Sequence, residues 1–109
     1  MWIRNTKENH GNVFNDCTFR GLGNDAVIAR LPDNKGKNYP DAECVLLNCT
    51  LEDVPSEGFG PVDESASTAT LMEFNSCDKD GKTIDVSLRH KYVRQLDAIK
   101  DAELIGEIL

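Results

Sequence analysis

A short segment made of an apolar strand, a polar bend and a cysteine occurs three times in this chain of 109 residues. The copies are VFNDCTF (13–19), VLLNCTL (45–51) and EFNSCDK (73–79), and their cysteines are separated by 32 and 28 residues. Repeats of this length are typical of solenoids, in which each turn of the chain supplies a strand and neighbouring turns bury its apolar side chains. The repeat therefore predicts about three or four stacked rungs within a single domain, 1–109.

An asparagine lies at the bend of every copy. Asn15, Asn48 and Asn75 each follow apolar residues that are typical of strands. A sharp bend requires a residue that tolerates a positive φ, and asparagine does so better than most. We therefore expect these three residues to adopt the left-handed conformation where each rung turns.

The chain has four cysteines, which are Cys17, Cys44, Cys49 and Cys77. An even number in a small secreted chain suggests disulfides. Because three of them hold the same place in the repeat, stacking would make them small interior apolar groups. We expect free thiols. A metal site is not predicted. Cys44 and Cys49 are five residues apart and are not accompanied by a CxxC pair, and His10 and His90 lie far away in the sequence.

The C-terminal segment differs from the repeats in its periodicity. Apolar residues at 98, 102, 105 and 109 recur at helical spacing, and Asp97 fits an N-cap. The segments 26–30 and 83–89 have the character of further strands. We expect the rungs to span about 13–93, with a helix over 96–108 that caps the open end of the stack.

Charge and hydropathy exclude two classes of partner. The formal net charge is −7, from 12 basic and 19 acidic residues, so the positive field that attracts nucleic acid is absent. No apolar run approaches the ~18 residues of a membrane span, and the N-terminal residues lack the apolar stretch of a secretory signal. We expect neither a nucleic-acid nor a membrane partner.

Several segments between 4 and 105 resemble the pectinesterase (pectin methylesterase) family. The segment AVIARLP is similar to the strand and G-R-P-W motif that carry the family's active-site arginine. The segment that ends in PSEGFG resembles the next rung and its P-x-G-W-like turn. ATLMEFNS and VSLRHKYVRQLDAIKDAELI resemble the last strand and the closing helix. The resemblance implies a right-handed parallel β-helix of about three to four rungs with a C-terminal capping helix.

The resemblance also implies site residues. Arg30 takes the position of the catalytic arginine, and a guanidinium there suits a uronic carboxylate or the orientation of a catalytic aspartate. Phe59 stands in place of the tryptophan of the P-x-G-W-like turn. Asp33, Asn34 and Tyr39 lie on the long loop that follows Arg30 and are candidate substrate-binding residues. The family's two catalytic aspartates have no counterpart in these 109 residues.

The function implied is hydrolysis of pectin methyl esters in a secreted or periplasmic parent protein, with this chain inactive alone. No cofactor is predicted, and the expected partner is pectin or another uronic-acid polysaccharide. End-to-end self-association is expected of a short solenoid. One alternative is a non-catalytic polysaccharide-binding or structural domain. Another is a pectate lyase, which would use calcium and an arginine base. The acids Glu73 and Asp85 would suggest glycoside hydrolysis only if the fold brought them together.

Overall fold

The computed structural model of the protein describes residues 8, 11–22, 27–28, 42–59, 69–89 and 92–108. Within these ranges the chain forms six strands and one helix. In chain order they are β1 (Asn12–Asn15), β2 (Thr18–Arg20), β3 (Glu43–Leu47), β4 (Thr50–Glu52), β5 (Thr70–Phe74), β6 (Val93–Gln95) and α1 (Ala102–Ile108).

The strands form two parallel sheets. One sheet has the order β1-β3-β5-β6, and β2 pairs with β4 in the other. Between β1 and β3 the register follows the sequence repeat, since Val13 lies opposite Val45. Between β3 and β5, Leu47 lies opposite Phe74, one residue short of the spacing of the repeat. The predicted strand at 83–89 is wrong, because only Thr83 in that segment makes a bridge.

Both faces of β3 are buried, because its four apolar residues alternate between two clusters. We call the first cluster the inner core; it contains Ile28, Ala42, Cys44, Leu46, Cys49, Leu51, Phe59, Leu71 and Val93. The outer core contains Val45, Leu47, Leu96 and Ile105, with Met72, Phe74, Leu104 and Ile108 packed against it. The helix thus covers the outer face of the larger sheet.

The prediction of a right-handed parallel β-helix with three to four rungs is wrong. The described strands form two sheets of unequal size, with four and two strands, and one short helix. The central strand β3 is covered on its outer face by the helix, and this outer face would meet solvent if α1 only capped the end of a stack. The predicted cap over 96–108 is therefore also corrected, to a helix over Ala102–Ile108 that packs on a sheet face.

The third repeat shows why the smaller sheet stops at two strands. Cys77 pairs parallel with Thr50 but antiparallel with Thr83, so the chain reverses direction where a further rung was predicted. The reversal is held by the carboxylate of Asp78, which accepts hydrogen bonds from the backbone N–H groups of Asp80 (2.8 Å) and Lys82 (3.0 Å). This side-chain turn replaces the continuation of the stack.

The polar bends stack in the structure, with one change from the prediction. Asn48 and Asn75 each have a φ of 55°, as predicted, but in the first copy Asp16 takes this conformation, with a φ of 57°, and Asn15 ends β1. Nδ2 of Asn75 donates to Oδ1 of Asn48 (3.0 Å), and Nδ2 of Asn48 donates to Oδ1 of Asn15 (3.2 Å). The bends are therefore linked by an asparagine ladder.

The predicted stack of three cysteines is wrong in its third member. Thr50 donates its N–H to the carbonyl of Cys17, which aligns Cys17 with Cys49, but Cys77 lies opposite Thr50. Ser76 therefore holds the level of Cys49 in the third copy, and it is only 3% exposed. When the three copies are aligned on cysteine, the third copy is displaced by one residue from its actual register in the structure.

All four cysteines are free, as predicted. Cys44 and Cys49 are buried, whereas Cys17 and Cys77 are half-buried. Burial raises the pKa of the Cys44 thiol to about 12, so this side chain behaves as a small apolar group at neutral pH. Among the described residues, no helix has the length and apolar character needed to cross a membrane.

Candidate functional site

The predicted site residues fall largely outside the described residues. Arg30, Asp33, Asn34 and Tyr39 all belong to this group, as do His10 and His90, so the roles assigned to them stay predictions. The described positions nearest to Arg30 in the sequence are 27 and 28, and Phe59 is described.

Ile28 is anchored on the turn at 55–59. Its backbone N–H donates to the carbonyl oxygen of Gly58 over 2.7 Å. The side chains of Ile28 and Phe59 both lie in the inner core, at 5% and 2% exposure. This contact joins the segment that leads into Arg30 to the turn that contains Phe59.

Phe59 packs in the inner core and not on the surface. A bound sugar would reach its ring only if neighbouring side chains moved away. Its predicted substrate contact stays a prediction, and in this conformation the ring stabilises the turn that holds Ile28.

The turn itself is closed by short-range backbone hydrogen bonds. The N–H of Gly58 donates to the carbonyl of Pro55 (2.9 Å), and the N–H of Phe59 donates to the carbonyl of Glu57 (2.6 Å). Gly58 has a φ of 64°, in the left-handed region that favours glycine. The sequence P-S-E-G-F thus supplies the residue that this turn needs.

A buried carboxylate lies beside the turn. The two oxygens of Glu73 accept hydrogen bonds from four donors. These are Nε (3.0 Å) and Nη2 (2.9 Å) of Arg89, Nε2 of Gln95 (2.8 Å) and Oγ of Ser76 (2.5 Å). We call these four residues the Glu73 cluster. The side chains of Glu73 and Arg89 are 0% and 4% exposed, so the ion pair is removed from solvent.

The Glu73 cluster contacts the turn through Arg89. Its Nη1 donates to the backbone carbonyl of Ser56 over 2.7 Å. A Cβ atom added to Gly58 would lie 2.7 Å from Cζ and from Nε of Arg89, well inside normal contact distance. The guanidinium therefore packs directly on the glycine, and a larger residue at this position would displace either the guanidinium or the turn.

The ionisation of Glu73 follows from these contacts. Burial alone would raise its pKa, but the hydrogen bonds from Arg89, Gln95 and Ser76 outweigh burial and hold the pKa below its ordinary value. A carboxylate that is ionised at neutral pH and occupied by four donors is poorly suited to accept a proton or attack a substrate. Its role in this arrangement is to hold Arg89.

The structure gives Glu73 and Asp85 separate partners. The carboxylate of Asp85 accepts a hydrogen bond from the backbone N–H of Ser87 (2.9 Å), which lowers the pKa of Asp85. No described hydrogen bond or ion pair joins the two acids. A pair of cooperating carboxylates for glycoside hydrolysis is therefore not found at these positions.

A cleft lies beside the end of β4. It has a volume of about 250 Å³ and is lined by Leu51, Glu52, Asp53, Asp78 and Lys79. Glu52 is paired with Arg20 (2.6 Å), and Asp78 is engaged in the turn at 78–82. Within the described ranges, no three side chains of the types that bind metals come together, in this cleft or elsewhere.

Sequence reasoning did not find Arg89 and Gln95. The strand TLMEF alternates between the two cores, with Leu71 in the inner core and Met72 against the outer core. By this alternation Glu73 points inward, and a buried acid requires a cationic or hydrogen-bonding partner. The signal was present in the strand pattern, but the pattern does not indicate which cation pairs with the acid.

Comparisons of the chain with protein-family models, curated proteins and solved structures gave no match.

Proposed function

We propose that this chain takes part in hydrolysis of pectin methyl esters, as a substrate-binding portion of a pectinesterase-like carbohydrate esterase with Arg30 as its site residue. The observation that carries the proposal is the hydrogen bond from Ile28 to Gly58. It joins two of the segments on which the resemblance depends, AVIARLP and the turn that contains Phe59. By the resemblance, the first segment carries the active-site arginine and the second contains Phe59, a candidate substrate-binding residue, so their proximity supports a common role here.

The chemistry assigned to the chain is binding and not attack on the ester. Nucleophile and acid-base aspartates belong, by the resemblance, to segments without a counterpart in this sequence. The buried acid Glu73 is occupied by its four donors, which agrees with a structural role. Arg30 would hold a uronic carboxylate through paired N–H groups or orient an aspartate of the esterase.

The charge of the chain bears on which pectin it binds. With a net charge of −7, the protein repels a polyanion such as fully de-esterified polygalacturonate. Methyl esterification removes the negative charges of the polysaccharide. We therefore expect tighter binding to partly methylesterified oligogalacturonides, which keep some uronic carboxylates for Arg30, than to fully de-esterified ones, with the difference reduced by added salt.

The experiment is isothermal titration calorimetry of the 109-residue chain with a partly methylesterified oligogalacturonide, which keeps free uronic carboxylates for Arg30. We expect Arg30→Ala to weaken binding by at least about tenfold, because a charge-assisted contact is lost. Arg20→Ala is the matched control, since Arg20 is a 68% exposed arginine paired with Glu52 and remote from the turn in the sequence. It should leave the Kd unchanged.

Three outcomes would contradict the proposal. Absence of binding by the wild-type chain would favour a purely structural domain. Equal losses in Arg30→Ala and Arg20→Ala would indicate nonspecific attraction. Release of ultraviolet-absorbing unsaturated products from polygalacturonate with calcium would favour the pectate lyase alternative.

A further inference from the structure

The turn at 55–59 is held from two sides by groups that are distant in the sequence. On one side, Nη1 of Arg89 donates to the carbonyl of Ser56, and the guanidinium packs on Gly58. On the other side, the carbonyl of Gly58 accepts the N–H of Ile28. A displacement of Gly58 therefore changes both the contact with Arg89 and the anchor of Ile28.

The guanidinium of Arg89 cannot give way easily. Nε and Nη2 are bound to Glu73, Nη1 is bound to Ser56, and the side chain is 4% exposed. Glu73 is held in turn by Gln95 from β6 and by Ser76. The turn thus contacts a guanidinium whose position depends on two neighbouring strands of the larger sheet, β5 through Glu73 and β6 through Gln95.

We infer that Arg89, Glu73 and Gly58 are positioning residues for the segment at Ile28, which leads in the sequence to the proposed site residue Arg30. The buried ion pair holds the turn, the turn anchors Ile28, and Ile28 precedes Arg30 by two residues. This inference rests on the proposed function for the role of Arg30 in substrate binding. The link from Arg89 through Gly58 to Ile28 depends only on contacts between described residues. None of the three residues is proposed to touch the substrate.

The test compares two substitutions of glycines that both have a positive φ, 64° for Gly58 and 79° for Gly81. Gly58→Ala places a Cβ against Arg89, whereas Gly81→Ala places one at a φ of 79° with no atom within 4 Å. Both variants place an alanine at a positive φ, which strains the backbone. A difference between the two variants in amide exchange therefore reports the contact with Arg89. Arg89→Lys is a second variant, which keeps the charge but loses the planar fork that reaches both Glu73 and Ser56.

The first measurement is amide hydrogen exchange of the full chain, residue by residue. We expect the Ile28 amide to exchange at least about tenfold faster in Gly58→Ala and in Arg89→Lys, with little change at the Val45 amide in the centre of the sheet. Gly81→Ala should leave Ile28 unchanged. A uniform increase at Ile28 and Val45 would indicate general destabilisation and would overturn the positioning role.

The second measurement is the Kd for the methylesterified oligogalacturonide at a temperature where all variants are folded. We expect Gly58→Ala and Arg89→Lys to weaken binding by at least about fivefold, and to have little further effect in an Arg30→Ala background, since coupled residues are not additive. Full additivity would contradict the inference.

The two measurements separate the two ways to fail. If the wild-type chain does not bind the oligosaccharide, the proposed function fails, and the exchange data still decide whether Arg89 and Gly58 hold Ile28. If binding depends on Arg30 but the Ile28 amide is unaffected in Gly58→Ala and Arg89→Lys, the proposed function stands and the positioning network is wrong.

Discussion

Two arginine–glutamate pairs of this molecule have the same chemistry but differ in their exposure to solvent. Glu73, on β5 of the larger sheet, and Arg89, outside the strands, are separated by 2.9 Å, and their side chains are 0% and 4% exposed. Arg20 and Glu52, at the ends of β2 and β4, are separated by 2.6 Å and are 68% and 20% exposed. The shorter pair is the one in solvent.

The comparison shows that the N···O distance of an ion pair does not indicate how much the pair contributes to the stability of the fold. In water the attraction between Arg20 and Glu52 is screened, and holding two long side chains costs entropy. In the interior, Glu73 has lost its hydration, so each of its donors replaces a contact with water that cannot be recovered. Removing a partner from the buried pair therefore leaves an uncompensated charge, whereas removing one from the exposed pair leaves a solvated side chain.

The largest effect is expected from Arg89→Ala. The substitution leaves Glu73 buried without its cation and frees the carbonyl of Ser56, so we expect a loss of about 3–5 kcal/mol in the free energy of unfolding. Urea denaturation followed by circular dichroism measures it. A loss below about 1 kcal/mol, the range of exposed pairs, would show that the two pairs are equivalent.

The second prediction concerns acid and the variant Glu73→Gln. Because the pKa of Glu73 is lower in the folded chain than in the unfolded chain, ionisation of Glu73 stabilises the fold above its ordinary pKa of 4.5. This stabilisation is lost as the pH falls through the lowered value. The stability difference between wild type and Glu73→Gln should be constant from neutral pH to about 5 and should shrink below that.

Urea denaturation of both proteins over a series of pH values measures this difference. Asp80→Asn, at an exposed carboxylate, controls for the change in net charge. A difference that grows on acidification would mean that Glu73 has a raised pKa and that burial outweighs its hydrogen bonds.

The parallel register of the larger sheet was predictable from the repeat, but the architecture was not. The apolar residues of 13–15 and 45–47 recur at a spacing of 32, and these strands pair at that offset. In the third copy the true offset from β3 to β5 is one residue less than the spacing of Cys49 and Cys77. Serine and cysteine have similar size, so the sequence alone did not show which one continues the stack. The reversal at 78–82 depends on a local side-chain turn that overrides the repeat.

The candidate site was predictable only in part, for a physical reason. A glutamate at an inward position of β5 indicates a buried cation, yet Arg89 lies 16 residues further on, beyond an irregular segment whose path no periodicity describes. The contact between Gly58 and Arg89 is equally invisible in the sequence, because it depends on the close approach of a backbone atom to a side chain. Contacts between residues this far apart in the sequence can be identified only in the folded structure.

A smaller effect is expected from Ser76→Ala. Ser76 is buried and donates to Glu73 over 2.5 Å, and a hydrogen bond to a charged group contributes about 1.5–3 kcal/mol. The expected loss of stability lies at or below the lower end of this range, because Arg89 and Gln95 remain. Ser56→Ala is the matched control, since Arg89 binds its backbone carbonyl and its side chain is exposed. Equal losses in both variants would show that the hydroxyl of Ser76 does not support the carboxylate.

The smallest effect is expected from Arg20→Ala. The hydrogen bond and charge of Glu52 raise the pKa of Arg20, but the guanidinium is solvated and its charge is screened. We expect a change in the urea midpoint that is smaller than for Ser76→Ala and that disappears at about 1 M salt, where the screening length falls to about 3 Å. The same salt should leave the effect of Arg89→Ala largely intact, because a buried pair is shielded from ions. If Arg20→Ala destabilises the chain as strongly as Arg89→Ala, the short distance between Arg20 and Glu52 matters more than burial, and the contrast between the two pairs is wrong.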